Sequence, residues 1–75
     1  MKVLFRESFL REVEALQKKA ERERIREAIE RVRQAAALKD VGGIKKLKGG
    51  DSFYRVRIGD CRLGLALEGD AVIFI

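Results

Sequence analysis

The chain has 75 residues, 47% apolar and 39% charged, and its 17 Lys and Arg against 12 Asp and Glu leave a net charge of +5. It has no histidine and one cysteine, which excludes a disulfide-stapled mini-protein and leaves no ligand spacing for a transition metal. No apolar run is long enough to span a bilayer, and Arg6 interrupts the start before a signal-peptide core develops, so the expected compartment is the cytoplasm.

A chain of this length is expected to form a single domain over residues 1–75 and to bury only about 60% of its unfolded surface. Lys2–Arg6 (KVLFR) reads as a first strand, and Ser8 can cap the helix that follows it. Phe9, Val13, Leu16 and Ala20 then recur at helical spacing. Continuing that stripe meets only charged positions, whereas a second stripe starts out of phase at Ile25, Ala28, Ile29, Val32 and Ala35. One helix cannot present both stripes to one core. The spacing therefore predicts two helices with a break within Lys19–Arg24, folded as a hairpin whose inner faces pack on a sheet. Charges on the second helix, such as Glu27 with Arg31, suit i,i+4 pairing on a wet surface. This helix is expected to end near Leu38–Val41, with Gly42-Gly43 stopping it.

Ile44–Ser52 (IKKLKGGDS) is a basic connector in which Ile44 and Leu47 can reach the core. Lys45, Lys46 and Lys48 face water there, suited either to backbone phosphates or simply to solubility. Its Gly49-Gly50 pair does not make a phosphate loop, because no Lys-Ser/Thr pair opening a helix follows. Phe53–Leu67 (FYRVRIGDCRLGLAL) reads as two strands joined by the two-residue turn Gly59-Asp60. In that register Ile58 faces Cys61, Arg57 faces Arg62, Val56 faces Leu63, Arg55 faces Gly64 and Tyr54 faces Leu65. One side is apolar and the other gathers Arg55, Arg57 and Arg62, with Phe53 at its end. Like charges directly opposite destabilise a ladder, so three guanidinium groups held together point to an anion. Residues 41–62 hold six cations against two anions, a density suited to nucleic acid or to a solvated basic face. Gly69-Asp70 offers a second tight turn into Ala71–Ile75 (AVIFI), apolar on both sides, and a strand of that kind expects to be covered by more protein.

The order of strand, two helices, Lys46–Gly49 (KLKG) and Tyr54–Leu63 (YRVRIGDCRL) resembles the RelE/ParE superfamily of bacterial and archaeal toxins, over Val3 to Ile75. The resemblance implies an α+β fold: an N-terminal strand, a two-helix hairpin and a three-stranded antiparallel meander in one sheet, with the helices on one face. For the RelE branch it implies a ribosome-dependent mRNA endoribonuclease that works without metal or cofactor, inhibits translation and is neutralised by a cognate antitoxin. Arg55, Arg57 and Arg62 match the family's catalytic cations, while Lys45, Lys46 and Lys48 stand where the mRNA and rRNA backbone would be gripped. Two departures keep other readings open. Arg55 and Arg57 stand where active members often have lysine, and the basic and Tyr or His residues that members carry after the last strand have no match within this sequence. The alternatives are a gyrase inhibitor of the ParE branch and an antitoxin-binding module without catalysis.

Overall fold

The computed structural model describes residues 1–48 and 52–75. Gly49, Gly50 and Asp51 lie outside the described residues, and so does the expectation attached to the second diglycine. The chain runs β1 (Lys2–Phe5), α1 (Glu7–Ala15), α2 (Lys19–Gln34), a 3₁₀ turn (Leu38–Asp40), β2 (Ile44–Lys46), β3 (Phe53–Ile58), β4 (Cys61–Glu68) and β5 (Ala71–Phe74). Its α+β class and its helices on one face of a single sheet match the expectation, with one strand more than expected. The basic connector contributes β2, antiparallel to β3 with Ile44 opposite Val56 and Lys46 opposite Tyr54.

The two helices are separate, but the break lies at Leu16–Lys18, earlier than Lys19–Arg24. Leu16 closes α1 in an extended conformation (φ −69°, ψ 123°), half-buried under the hairpin. Ala20, counted with the first stripe, is exposed and already belongs to α2; a methyl group is too small to need burial, so it carried no phase information. Ser8 lies within α1 and caps nothing. Arg6 occupies the N-cap without a side-chain bond, while its backbone N–H donates to the Phe74 carbonyl at 3.0 Å. The strand thus hands directly to the helix, and Glu7 places a negative charge in the first turn, where the helix dipole favours it. The second helix stops at Gln34 rather than near Val41. Val41 lies nine residues, about two and a half turns, beyond Val32, so a continued helix would turn it away from the core. Breaking at Ala35 lets the 3₁₀ turn drop both Leu38 and Val41 into the core instead.

Sheet order is β1-β5-β4-β3-β2. The Gly59-Asp60 turn sets the predicted register of β3 on β4, from Ile58 opposite Cys61 to Tyr54 opposite Leu65. The Gly69-Asp70 turn likewise places Leu67 opposite Val72 and Leu65 opposite Phe74. Both turns begin with a glycine at positive φ (56° and 59°), as tight hairpin loops require. The strand Ala71–Phe74 is not an exposed edge: β1 pairs with it in parallel, Val3 beside Val72 and Phe5 beside Phe74. Pairing on both edges sets it inside the sheet: Ala71, Val72 and Phe74 are buried, while Ile73, on the side away from the helices, is half-buried.

Phe9 from α1, Ile25, Ala28 and Val32 from α2, and Val56, Leu63, Leu65, Val72 and Phe74 from the sheet form the core. At one end Phe5, Phe9 and Phe74 cluster, with ring centroids 5.4–5.9 Å apart. Among the described residues, ion pairs join Glu7 to Arg11, Lys18 to Glu21, Lys19 to Glu23 and Glu30 to Arg33, all on the helices; Glu27 and Arg31 do not pair. No helix of the described chain is long and apolar enough to cross a membrane.

Candidate nucleic-acid interface

The helices cover only one face of the sheet. On the other, alternation along each strand brings every second residue outward. Arg57 stands directly opposite Arg62, and in the adjoining row Arg55 lies opposite Lys45 on one side and Gly64 on the other. Two like-charge cross-strand pairs are therefore stacked in successive rows. Strands lie about 4.8 Å apart and same-face neighbours about 7 Å apart, so all four cations fall within reach of one phosphate group or two adjacent ones. Arg57, Arg62 and Lys45 are exposed and Arg55 is half-buried. None of the four takes part in an ion pair, and none has a side-chain hydrogen-bond partner among the described residues. Such repulsion costs little in water, about 1 kcal/mol per pair at 4 Å, and an anion seated between the groups reverses its sign. Guanidinium suits that anion well, being planar, permanently charged and bidentate towards phosphate.

Local backbone geometry places Arg57. Gly43 adopts φ +78°, accepts the Arg57 N–H at 3.2 Å and lies so close that an added β-carbon would stand 3.0 Å from the Arg57 carbonyl oxygen. The diglycine expected only to stop a helix thus starts β2 and lays it against the arginine strand. Gly64 leaves open space beside Arg55, where an added β-carbon would touch nothing closer than Ile75, at 4.0 Å.

The three connector lysines separate. Lys45 joins the arginines, but Lys46 pairs with Tyr54 and shares its side of the sheet, away from them. Lys48 lies beyond the end of β2 in a turn. A run of three lysines carries no face information until strand pairing begins, which is why the sequence alone grouped them. The structure also brings in Arg24, unpredicted as a site residue: an added β-carbon at Gly59 would stand 3.1 Å from its Nη1, so this guanidinium rests on the tip of the arginine hairpin. Its only sequence signal is its position next to Ile25, on the flank of the buried stripe of α2. Arg62 borders a cleft of about 210 Å³ walled by Phe9, Val13, Leu16, Cys61 and Ile75. Cys61 lies on the core side, half-buried, as strand parity predicts. Tyr54 is on the core side too, packed against buried residues.

Fold and face together define a small α+β protein that holds a cationic sheet surface opposite a helical hairpin. Toxin RelE3 of Methanocaldococcus jannaschii is 37% identical over 75 residues, a match that takes in 99% of this chain and 84% of that protein. The crystal structure of a RelB-RelE antitoxin-toxin complex from Methanococcus jannaschii has a similar chain, with a TM-score of 0.80 and 32% identity over 95% of this chain and 82% of that one. No family model matches the sequence. Identity of this extent, along almost the whole chain, shows that the protein belongs to the RelE family of toxins.

Proposed function

We propose that this toxin binds messenger RNA on its cationic sheet face and cleaves it on the ribosome, blocking translation until a cognate antitoxin masks it. The observation that carries this reading is the four-cation cluster Lys45, Arg55, Arg57 and Arg62, built on neighbouring strands and, among the described residues, without a carboxylate partner. Messenger RNA supplies what such a cluster lacks, a phosphate with a neighbouring 2′-hydroxyl. Attack of the ribose 2′-oxygen on the adjacent phosphorus forms one P–O bond and breaks the bond to the 5′-oxygen of the next nucleotide. The products are a 2′,3′-cyclic phosphate and a 5′-hydroxyl, which takes up a proton. Negative charge gathers on the phosphoryl oxygens at the transition state, and preorganised donors aimed at it lower the barrier by up to a few kcal/mol each. In this reading Arg57 and Arg62, which face each other across the ladder, clamp those oxygens, while Arg55 and Lys45 hold the flanking phosphate. Arginine keeps its proton, so these groups act by charge and orientation, and the 2′-hydroxyl proton goes to another acceptor.

The antitoxin partner is supported by the similar chain, which is solved in complex with RelB. A second reading, an antitoxin-binding protein without catalysis, rests on the make-up of the cluster, whose side chains among the described residues are Arg and Lys alone. One experiment separates the two. Ribosomes carrying a defined message are incubated with the purified chain and the RNA ends are mapped. Cleavage with 2′,3′-cyclic ends, reduced about 10²–10³-fold in Arg62→Ala, is the expected result. Intact message, together with unimpaired growth of a bacterium expressing the chain, would overturn the ribonuclease reading.

A further inference from the structure

The cation rows have an apolar neighbour. One row along from Lys45–Arg55–Gly64, the open face carries Phe53 opposite Ala66, then Ile73, then Leu4 on β1. Phe53 is 49% exposed and Leu4 44%, but Ala66 between them is buried at 6%. Half-buried Ile73 completes this apolar row, whose two exposed side chains stand three strand spacings, about 14 Å, apart. The ring pairs among the described residues join Phe5, Phe9 and Phe74 and leave Phe53 out. Among the described residues Phe53 thus stacks on no other ring; the Ala66 methyl group lies beside it, and Arg55 is one strand repeat, about 7 Å, away.

We propose that Phe53 is a nucleobase-stacking residue: an unpaired base of single-stranded RNA lies on its ring while the adjoining phosphate sits over Arg55 and Lys45. The proposal rests on the reading of the cationic face as RNA-binding and adds to it a contact that requires an unstacked base. The dimensions favour a base over a protein segment. A specific protein interface buries about 800 Å² on each partner, whereas one ring at the end of a row, with Arg55 and Lys45 in the next, matches one base and its phosphate. Charge complementarity points the same way, since the row beside the ring begins with Lys45 and Arg55, and Gly64 beyond them leaves room for a phosphate. Aromatic rings on an open sheet face that take splayed bases are an established mode of RNA recognition.

The test uses the full chain and fluorescence anisotropy with a short single-stranded RNA, an abasic strand of equal charge and a duplex. Phe53→Ala is expected to weaken single-strand binding about 5- to 20-fold without changing the salt slope, and to erase the preference over abasic and duplex RNA. Phe53→Tyr is expected to retain it. In the unmodified chain, binding should quench 2-aminopurine placed in the strand, a readout independent of how any variant folds. If Phe53→Ala binds all three RNAs as the parent does and 2-aminopurine is unaffected, while Arg55→Ala weakens binding, the stacking role is refuted and the cationic site stands. If the parent chain binds no RNA, both readings fall. A Phe53→Ala defect confined to association with the antitoxin would assign the ring to a protein interface and overturn the proposal.

Discussion

Arg57 is positioned by its backbone rather than by its own side chain. Gly43 lies against it at φ +78°, with no room for a β-carbon on that side. Gly43→Ala adds both a left-handed-backbone penalty and a clash with a carbonyl oxygen, and is expected to destabilise the fold by about 1–3 kcal/mol. Neighbouring Gly42 has nothing within 4 Å of an added β-carbon, so Gly42→Ala should be close to neutral. Urea denaturation of the two variants gives the comparison. The glycine's importance was not legible in the sequence, because Gly42-Gly43 reads equally well as a helix stop. The three arginines were legible, because alternation along β3 and one two-residue turn were enough to align them.

At the scale of the element, the second helix begins without a side-chain cap: Lys18 occupies the N-cap, and Glu21 already stands three residues on. Lys18→Ser would complete a capping box with Glu21. It gives up only a surface ion pair at 4.0 Å, itself worth little. The expected gain is about 1 kcal/mol, read as a rise in melting temperature of about 4–8 °C by calorimetry. Two amphipathic stripes out of phase could be counted from the residues, and so could the hairpin they require. The position of the break could not be, since no Gly or Pro marks it and Ala20, though at the spacing of the first stripe, lies exposed in α2.

For the whole molecule, charge is distributed unevenly. Residues 6–34 carry nine cations and seven anions, so the helical layer is close to balanced, with four ion pairs on its surface. Among the described residues, the open sheet face holds its cations unpaired. Binding of single-stranded RNA through Lys45, Arg55, Arg57 and Arg62 should therefore follow a log–log salt slope of about −3, reduced by about 0.7 in Arg55→Ala. A slope near zero in a salt titration would show that phosphate is not what the face holds. Stability is the other global quantity. A 75-residue chain is expected to have roughly 4–11 kcal/mol in total, and Phe74→Ala, at a fully buried ring central to the aromatic cluster, removes about 3–5 kcal/mol. Thermal unfolding followed by circular dichroism should find that variant's midpoint lowered by at least about 12 °C.

Two kinds of information separate by range. Periodicity, turn residues and strand parity act over a few positions, so the residues alone determined the helical hairpin, the register of the last three strands and the grouping of Arg55, Arg57 and Arg62. Contacts between distant segments leave no such periodic trace. Only the tertiary structure decided that Lys2–Phe5 lies parallel to Ala71–Phe74 and buries a strand that had looked exposed. It also decided that Lys45 joins the arginines while Lys46 does not, and that Arg24 reaches the hairpin tip. The physical reason is the same in each case: which side of a sheet a residue faces is set by the strand it pairs with, and that partner can lie anywhere along the chain.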